Sequence, residues 1–463
     1  MKITLYGAAG DVTGSAYHVQ TDRSNILVDC GLYQGAKMAD EKNRLPRGLS
    51  AKRLDAVILT HGHLDHVGRL PILARQGFRG PVITTEATVE MAGLVLHDSA
   101  KVQAHDLVRE NRKRERAGKK PLEPLYSPSD VEAILERFQP VAYDRPTEIA
   151  AGIQARFVEA GHMLGSASIV LSVEEGGRRR QVVFSGDIGP WGAPLLRDPA
   201  PPTEADLVLM ESTYGDRNHR SLDETVREFE EIIRQALPRK GKILVPTFAI
   251  GRTQQILYHL AVAFRQRSLP KFPLYLDSPM AVEASKIYLN HQELMDEETK
   301  ALQRVGSIRD DLNSLKATAT PEDSQALNSL PGPCLIMAGS GMCNGGRILH
   351  HLKYNLWRPE TSVLIVGFQA AGTLGRLLVE GAETVRIFGE PIAVRAGVHT
   401  LGGFSAHAGQ SDLLRWFGGM AGSKPRVVVC HGEDKARTVF AGLLRQRYGV
   451  ETTLPALGES VSL

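Results

Sequence analysis

Three histidines and one aspartate lie within six residues of one another, in the run from His61 to His66. The preceding segment, 55–60, is apolar and β-branched, which predicts a buried strand of an α/β sheet. Ligand crevices in α/β sheets commonly lie at the carboxyl ends of the strands, where this loop would sit. Because imidazole nitrogen and carboxylate oxygen both suit Zn²⁺, the loop predicts a metal site on an α/β scaffold.

The number of donors in this loop predicts two ions rather than one. A catalytic zinc uses about three protein ligands and leaves a further position open. We therefore expect His61 and His63 to face one ion, and Asp65 and His66 to face the other. Mn²⁺ or Fe²⁺ would fit the same ligands, because site geometry and metal supply decide selectivity.

Three further residues repeat the placement of the histidine loop at a strand end. His162 follows a predicted strand at 153–159, and Asp187 follows one at 181–185. His431 follows the valine-rich run 426–430. Asp187 has two oxygens and could bridge both ions, and His431 is the best candidate to complete the second ligand set. Asp29, which ends another predicted strand, either orients a ligand histidine or forms a turn before Gly31, and the sequence leaves both open.

Composition sets wider limits on the chain. Its 463 residues predict two or three domains, and its 42% apolar and 23% charged residues are ordinary for a globular protein. The four cysteines form no Cys-x-x-Cys pair, which favours buried free thiols. No signal peptide or membrane-length apolar run is evident, so we expect a cytoplasmic protein that does not bind membranes.

Repeated strand–helix units begin after about residue 213 and predict a second, parallel-sheet domain inserted into the first. The predicted divisions are 1–212 for the first part of the metal-binding domain, 213–391 for the insert and 392–463 for the return.

Taken in order, these motifs resemble the β-CASP branch of the metallo-β-lactamase-fold nucleases, which includes bacterial and archaeal RNA-processing enzymes and the pre-mRNA 3′-end endonuclease. The resemblance implies an αββα sandwich with an inserted β-CASP α/β domain. The residues that match the family motifs are, in chain order, Asp29, His61, His63, Asp65, His66, His162, Asp187, Glu211, His407 and His431. A histidine at 431 is similar to the RNA-acting members, whereas DNA-acting relatives tend to carry valine there.

The resemblance implies a zinc-dependent ribonuclease that cuts internally, with 5′-3′ exonuclease action left open. One zinc would be held by His61, His63 and His162, and the other by Asp65, His66 and His431, with Asp187 between them. Asp65 would thus serve catalysis as well as binding. His407 would act as the general acid, held and tuned by Glu211.

Substrate contacts are expected from the inserted domain, with single-stranded RNA as the partner and a homodimer left open. Arg252 at a predicted helix start is electrostatically unfavourable without an anion nearby. Ser340 and Gly341 lie in a glycine-rich loop before a helix, which suits either a phosphate or an ordinary turn. His399 and Ser405 flank the expected general acid and are weaker candidates.

The run Arg109–Lys120 holds seven Lys or Arg and two Glu. It is either a solvated helix face or a surface that meets phosphates, and the sequence does not decide between them.

Three other functions remain open. A small-molecule ester or thioester hydrolase of the same fold would share the ligands but would not need Glu211, His407 or the insert. A non-catalytic scaffold in an RNA-processing assembly would usually lack ligands, and none is missing here. A DNA nuclease is disfavoured chiefly by His431.

Overall fold

The computed structural model describes residues 1–34, 42–370 and 372–463. The chain divides into two compact units. The first contains 1–191, 198–218 and 407–463, and the second contains 192–197 and 219–406. The sequence-based divisions at 212 and 391 stay a prediction of domain organisation.

The first unit begins with eleven strands and four α-helices among its described residues. The strands are β1 Lys2–Leu5, β2 Tyr17–Gln20, β3 Asn25–Val28, β4 Ala56–Ile58, β5 Val82–Thr85, β6 Phe138–Val141, β7 Thr147–Ala150, β8 Ile153–Glu159, β9 Ala167–Glu175, β10 Arg178–Phe184 and β11 Leu207–Met210. The helices are α1 Leu64–Val67, α2 Leu70–Arg75, α3 Glu86–Arg116 and α4 Pro128–Leu135. Ser127 caps α4 in a reciprocal arrangement with Asp130.

The second unit alternates strands and helices. Its described helices are α5 Leu222–Ala236, α6 Arg252–Arg265, α7 Pro279–Asn290, α8 Glu297–Val305, α9 Ile308–Asp311, α10 Pro321–Ser329, α11 Ile348–Asn355 and α12 Leu374–Val379. Its described strands are β12 Lys242–Pro246, β13 Leu274–Asp277, β14 Leu315–Ala317, β15 Cys334–Ala338, β16 Ser362–Ile365, β17 Thr384–Ile387, β18 Glu390–Ala393 and β19 Gly397–Thr400.

The chain then returns to the first unit. The returning elements are α13 Gln410–Gly418, β20 Arg426–Val429, α14 Asp434–Tyr448, β21 Thr452–Thr453 and β22 Ser460–Ser462.

Two sheets pack face to face in the first unit. In the described residues their strand orders are β22-β1-β2-β3-β4-β5-β6 and β21-β20-β11-β10-β9-β8-β7. Leu5 and Val28 of the first sheet share one core with Phe157 and Ile169 of the second. Helices cover both outer faces, since α3 contacts β5 and β6 while α13 and α14 share a core with β11 and β20. This αββα sandwich confirms the predicted fold class.

The second unit is built on a sheet in the order β14-β13-β15-β12-β16-β19, and every pairing that joins these strands is parallel. Its strands are nearly continuous apolar runs, as expected where helices cover both faces. Leu244, Ile336 and Val363 lie in its core together with Leu352 of α11. The prediction of an inserted domain with a parallel sheet is therefore confirmed.

All four cysteines are buried and free, as the sequence predicts. Within the described ranges, no helix is both long and apolar enough to span a bilayer. The cytoplasmic location and the homodimer stay predictions.

Candidate metal centre

Parallel pairing in the second sheet gathers three of the predicted site residues at one edge. Strands β10, β11 and β20 run parallel and in register, so their carboxyl ends lie side by side. Asp187, Glu211 and His431 follow these ends within three residues. The sheet therefore brings together side chains that are far apart in sequence.

The facing sheet supplies the histidine loop at the same place. β3 pairs with β4 in parallel, so Asp29 lies beside the residues that follow β4. His61 lies in the loop after β4, and His63 is the N-cap of α1. His66 lies within α1, where the first turn presents it on the same side as the loop.

Gly186 is required by its conformation and by a close approach between the two sheets. Its φ is +59°, which lies in a region that residues other than glycine rarely adopt. A Cβ there would lie 2.9 Å from the Cβ of Thr60, which is closer than van der Waals contact. Glycine at this position lets Asp187 approach the histidine loop.

The first cluster consists of His61, His63, His162 and Asp187, whose ligand atoms all lie within 4.8 Å of one another. Nδ1 of His63 lies 3.2 Å from Nε2 of His61 and 3.0 Å from Nε2 of His162. Oδ2 of Asp187 lies 3.5 Å from Nε2 of both His61 and His162. Two ring nitrogens therefore face one carboxylate oxygen, and the third ring nitrogen lies beside both of them.

The second cluster shares Asp187 and adds Asp65, His66 and His431. Nε2 of His66 lies 3.4 Å from Nε2 of His431 and 3.4 Å from Oδ1 of Asp187. Oδ2 of Asp65 lies 3.7 Å from Nε2 of His431. The two oxygens of Asp187 thus face different clusters, as a bridging ligand requires.

These donor sets fit divalent cations. Ring nitrogens that meet at about 3 Å need a proton or a cation between them, because their lone pairs otherwise face each other. Oδ1 of Asp187 is buried and accepts no hydrogen bond from the described residues, and a buried carboxylate is costly unless nearby positive charge compensates it. Imidazole and carboxylate groups are the ordinary ligands of zinc and similar metals. The centre therefore has the chemistry of a divalent metal site.

Hydrogen bonds behind the cluster hold the ligand rings in place. Oδ2 of Asp29 lies 2.8 Å from Nδ1 of His66, which is the contact of a carboxylate that orients a ligand histidine. Asp29 also accepts bonds from the backbone N–H and the hydroxyl of Thr60, each at 2.8 Å. The hydroxyl of Thr213 lies 3.1 Å from Nδ1 of His431.

Thr60 and Thr213 were not anticipated from the sequence. The only available signal was their position, since Thr60 directly precedes His61 and Thr213 lies two residues after Glu211. A hydroxyl at a strand end is common in turns, so position alone did not single them out.

Burial and neighbouring charges set the protonation of the histidines. Burial lowers the pKa of His61 well below its usual value and that of His63 to about 4, so both are neutral at pH 7 and offer lone pairs. Burial also lowers the pKa of His66, but Asp187 and Asp29 outweigh it and raise the pKa well above the usual value. Burial likewise lowers the pKa of His431, but Asp187 and Asp65 outweigh it and raise the pKa to about 8.

His407 lies against the edge of this centre and contacts two carboxylates. Its Nδ1 lies 3.3 Å from Oε1 of Glu211, and its Nε2 lies 3.9 Å from Oδ2 of Asp187. Glu211 is fully buried and is fixed by the backbone N–H groups of Ile188 and Thr213. Burial lowers the pKa of His407, but Glu211 and Asp187 outweigh it and raise the pKa.

The residues predicted to contact substrate belong to the second unit. The hydroxyl of Ser340 accepts bonds from the N–H groups of Asn344 and Gly345, so it stabilises its own loop. Gly341 packs under Phe248, and a Cβ there would lie 2.5 Å from the ring. Both residues therefore have a structural role in their own loop. Their contact with substrate stays a prediction.

The other three candidates differ in exposure. Arg252 is buried at the start of α6 and donates a hydrogen bond to Gln255. Ser405 is also buried, whereas His399, in β19, is half-buried. Their substrate contacts stay predictions.

Three family models match the chain. One described as the metallo-beta-lactamase superfamily matches residues 9–247, and one described as the Beta-Casp domain matches 253–378. A third, described as the Zn-dependent metallo-hydrolase RNA specificity domain, matches 391–455.

Similar proteins match over the whole chain. Ribonuclease TTHA0252 of Thermus thermophilus is 44% identical over 463 residues, which is 100% of both chains. Transcription termination factor FttA of Methanosarcina mazei is 30% identical over 477 residues, covering 100% of this chain and 72% of that one. A crystal structure of a protein of unknown function from Enterococcus faecalis has a TM-score of 0.53 at 12% identity, covers 100% of this chain and 99% of its own, and is similar in fold alone.

Replacing Asp187 with Asn should release bound metal, because the change removes the negative charge that both clusters share. We expect the purified Asp187→Asn protein to lose most of its divalent metal in elemental analysis. Full metal content in this variant would contradict the bridging role.

The matched control is Asp277→Asn, since Asp277 is also a fully buried carboxylate. Asp277 belongs to the second unit, where it accepts bonds from His351, Arg347 and Ser324 at 2.6–2.7 Å. This control should lower the melting temperature and leave the metal content unchanged.

Replacing Asp29 with Asn should weaken metal binding without abolishing it. The amide would keep the shape of the Asp29 side chain but lose the charge that orients His66. Loss of such an orienting carboxylate typically weakens metal affinity by about 10–100-fold. Competition with a coloured chelator would measure the change, and an unchanged affinity would show that Asp29 serves the turn alone.

Proposed function

Because this chain belongs to the β-CASP branch of the metallo-β-lactamase superfamily, we propose that it hydrolyses RNA phosphodiester bonds with the help of two zinc ions. The enzyme is a metal-dependent hydrolase by its fold, its clustered ligands and its relatives. The proposal includes three finer points, namely that the RNA is single-stranded, that two ions are bound and that the metal is zinc.

The observation that carries the proposal is the pair of clusters joined through Asp187. The first would hold one ion through His61, His63 and His162, and the second would hold the other through Asp65, His66 and His431. Bound divalent cations supply a nucleophile at neutral pH and positive charge against the phosphate oxygens. Mn²⁺ or Fe²⁺ would serve the same residues.

His407 would act on the leaving group. As the bond between phosphorus and the ribose oxygen breaks, that oxygen needs a proton, and His407 Nε2 faces the centre while Nδ1 faces Glu211. Glu211 would hold the ring through Nδ1–H and favour the protonated imidazole, so that Nε2–H can donate. Glu211 itself would stay fixed, because two backbone N–H groups bind its carboxylate.

The proposed reaction predicts metal-dependent cleavage of generic RNA and no comparable activity on thioesters. We would incubate the protein with end-labelled single-stranded RNA carrying either a 5′-monophosphate or a 5′-triphosphate, with and without chelator. Internal products would indicate endonuclease action, and 5′ mononucleotides would indicate stepwise degradation. Rapid thioester hydrolysis with intact RNA would overturn the proposal.

The His407→Ala variant should retain its metal and lose turnover by roughly 10²–10⁴-fold, the usual contribution of a general acid. Elemental analysis would confirm the metal content, and cleavage of labelled RNA would give the rate. Normal cleavage by this variant would show that His407 has another role.

A substrate with a bridging sulfur at the scissile bond tests the proton-transfer step directly. A thiolate leaves without protonation, so His407→Ala should cut this RNA at nearly the wild-type rate. The Glu211→Gln variant should show the same selective rescue with a smaller initial loss. If the sulfur substrate restores neither variant, the two residues position RNA and do not supply the proton.

A further inference from the structure

The carboxyl-terminal half of α3 has no buried face. Residues 101–124, all of which the structure describes, include no buried side chain. We call this segment the basic arm. Within it, Arg109–Lys120 carries a net charge of +5, so the rest of the chain carries −2 of the total +3. The net positive charge of this protein therefore comes from one exposed segment.

The cations of the basic arm form a stripe along the helix. Arg109, Arg112, Lys113 and Arg116 occupy positions i, i+3, i+4 and i+7, which share one face. All four are exposed. Like charges at this spacing destabilise a helix by about 0.2–0.5 kcal/mol per pair. The stripe therefore opposes folding of the segment that carries it.

Two side chains fold the segment that follows α3 back against the helix. After α3 ends, Asn111 binds the backbone of Leu122 through both its amide N–H, at 3.0 Å, and its carbonyl oxygen, at 2.8 Å. Nε of Arg114 donates to the carbonyl oxygen of Lys120 at 2.7 Å. These bonds hold the backbone of Lys120 and Leu122 against the end of α3, and all seven cations of Arg109–Lys120 lie within this one exposed segment.

Helix electrostatics explain only part of this pattern. Cations in the last turn, from Lys113 to Arg116, are favoured by the helix dipole. That effect fades within one turn and does not reach Arg109. Glu110 is the partner of Lys113, at 3.5 Å, and is exposed. Most of the charge is therefore available to an anion.

The base of the same helix packs directly beneath the metal-binding loop. A Cβ on Gly62 would lie 2.9 Å from the Cβ of Met91 and 3.2 Å from the amide nitrogen of Ala92, so α3 passes immediately behind the loop. At a rise of about 1.5 Å per residue, Lys113 lies about 33 Å further along the axis than Met91. A stacked strand with a rise of roughly 3.4 Å per phosphate would cover that length in about ten nucleotides.

We propose that the basic arm binds the backbone phosphates of RNA about ten nucleotides from the bond that is cut. The inference rests on the proposed ribonuclease function and adds a second contact region to it. Such contacts position a nucleic acid without reading its sequence. The arm would therefore favour long RNA over short RNA of any sequence.

The test compares two lengths of RNA and three sets of substitutions. The arm variant is Arg109→Gln, Arg112→Gln, Lys113→Gln and Arg116→Gln, since glutamine keeps helix propensity. The matched control removes four cations that are ion-paired with a glutamate elsewhere, namely Arg220→Gln, Arg234→Gln, Lys286→Gln and Lys300→Gln. The reverse variant is Glu110→Gln with Glu115→Gln.

Dissociation constants would be measured by fluorescence anisotropy with hydrolysis-resistant RNA of 6 and of 30 nucleotides, lengths chosen to fall short of and to exceed the span of about ten nucleotides. The arm variant should bind the longer RNA at least tenfold more weakly and the shorter one within twofold of wild type. Its affinity should also depend less on salt, by about 0.7 in the logarithmic slope for each phosphate that the arm no longer binds. The reverse variant should bind the longer RNA more tightly.

Cleavage rates on the same two lengths separate this inference from the proposed function. The arm variant should raise KM for the longer RNA at unchanged kcat and leave both constants for the shorter RNA unchanged. If wild type binds RNA without cutting it, the ribonuclease proposal fails, and the affinities still decide the role of the arm. The arm proposal is overturned if the control weakens binding as much as the arm variant, or if RNA length has no effect.

Discussion

The crowding of ligand atoms around Asp187 is the constraint on which the metal-binding unit depends. Both oxygens of one buried carboxylate face ring nitrogens, at 3.4–3.5 Å from His61, His66 and His162. A buried carboxylate is costly unless positive charge or hydrogen bonds compensate it. The protein satisfies this condition by placing each ligand at the end of a strand, in the loop beside it or in the short helix α1 that follows, so that the sheets fix the backbone from which the side chains project.

The strand ends of the centre were predictable because each one combines a local apolar run with a polar residue that metals bind. His162, Asp187 and His431 could each be identified in this way, and the placement of β8, β10 and β20 agrees. The local sequence of a strand does not indicate which other strand it pairs with. The parallel pairing of β11 with β20 joins Leu207 to Arg426, and no local pattern encodes a contact between residues so far apart in the chain.

Other features were not predictable because they depend on side-chain geometry. The sequence left Asp29 equally suited to a turn or to an orienting role, and the 2.8 Å approach to His66, which favours the orienting role, depends on a contact between separate strands. For Ser340 the sequence indicated a substrate contact, whereas the structure shows a bond within the loop. A serine in a glycine-rich loop resembles a phosphate contact, yet its hydroxyl bonds to the loop itself. Residue type and spacing indicate which chemical roles a side chain can take. Its hydrogen bonds show which structural role it already has in the fold.

One helix, α3, packs against the metal-binding loop with its first half and forms the helical part of the basic arm with its second half. An isolated helix of about 15 residues is marginal in water, and the exposed half of α3 has no core to stabilise it and repulsive charges along one face. Its buried half, which includes Met91, Ala92 and Leu96, provides the helical turns onto which the exposed half can propagate. The packing that sets the direction of the basic arm is therefore the same packing that supports the ligand loop. A mutation that loosened this buried half would disturb both regions together, whereas a substitution confined to the exposed stripe would leave the ligands in place.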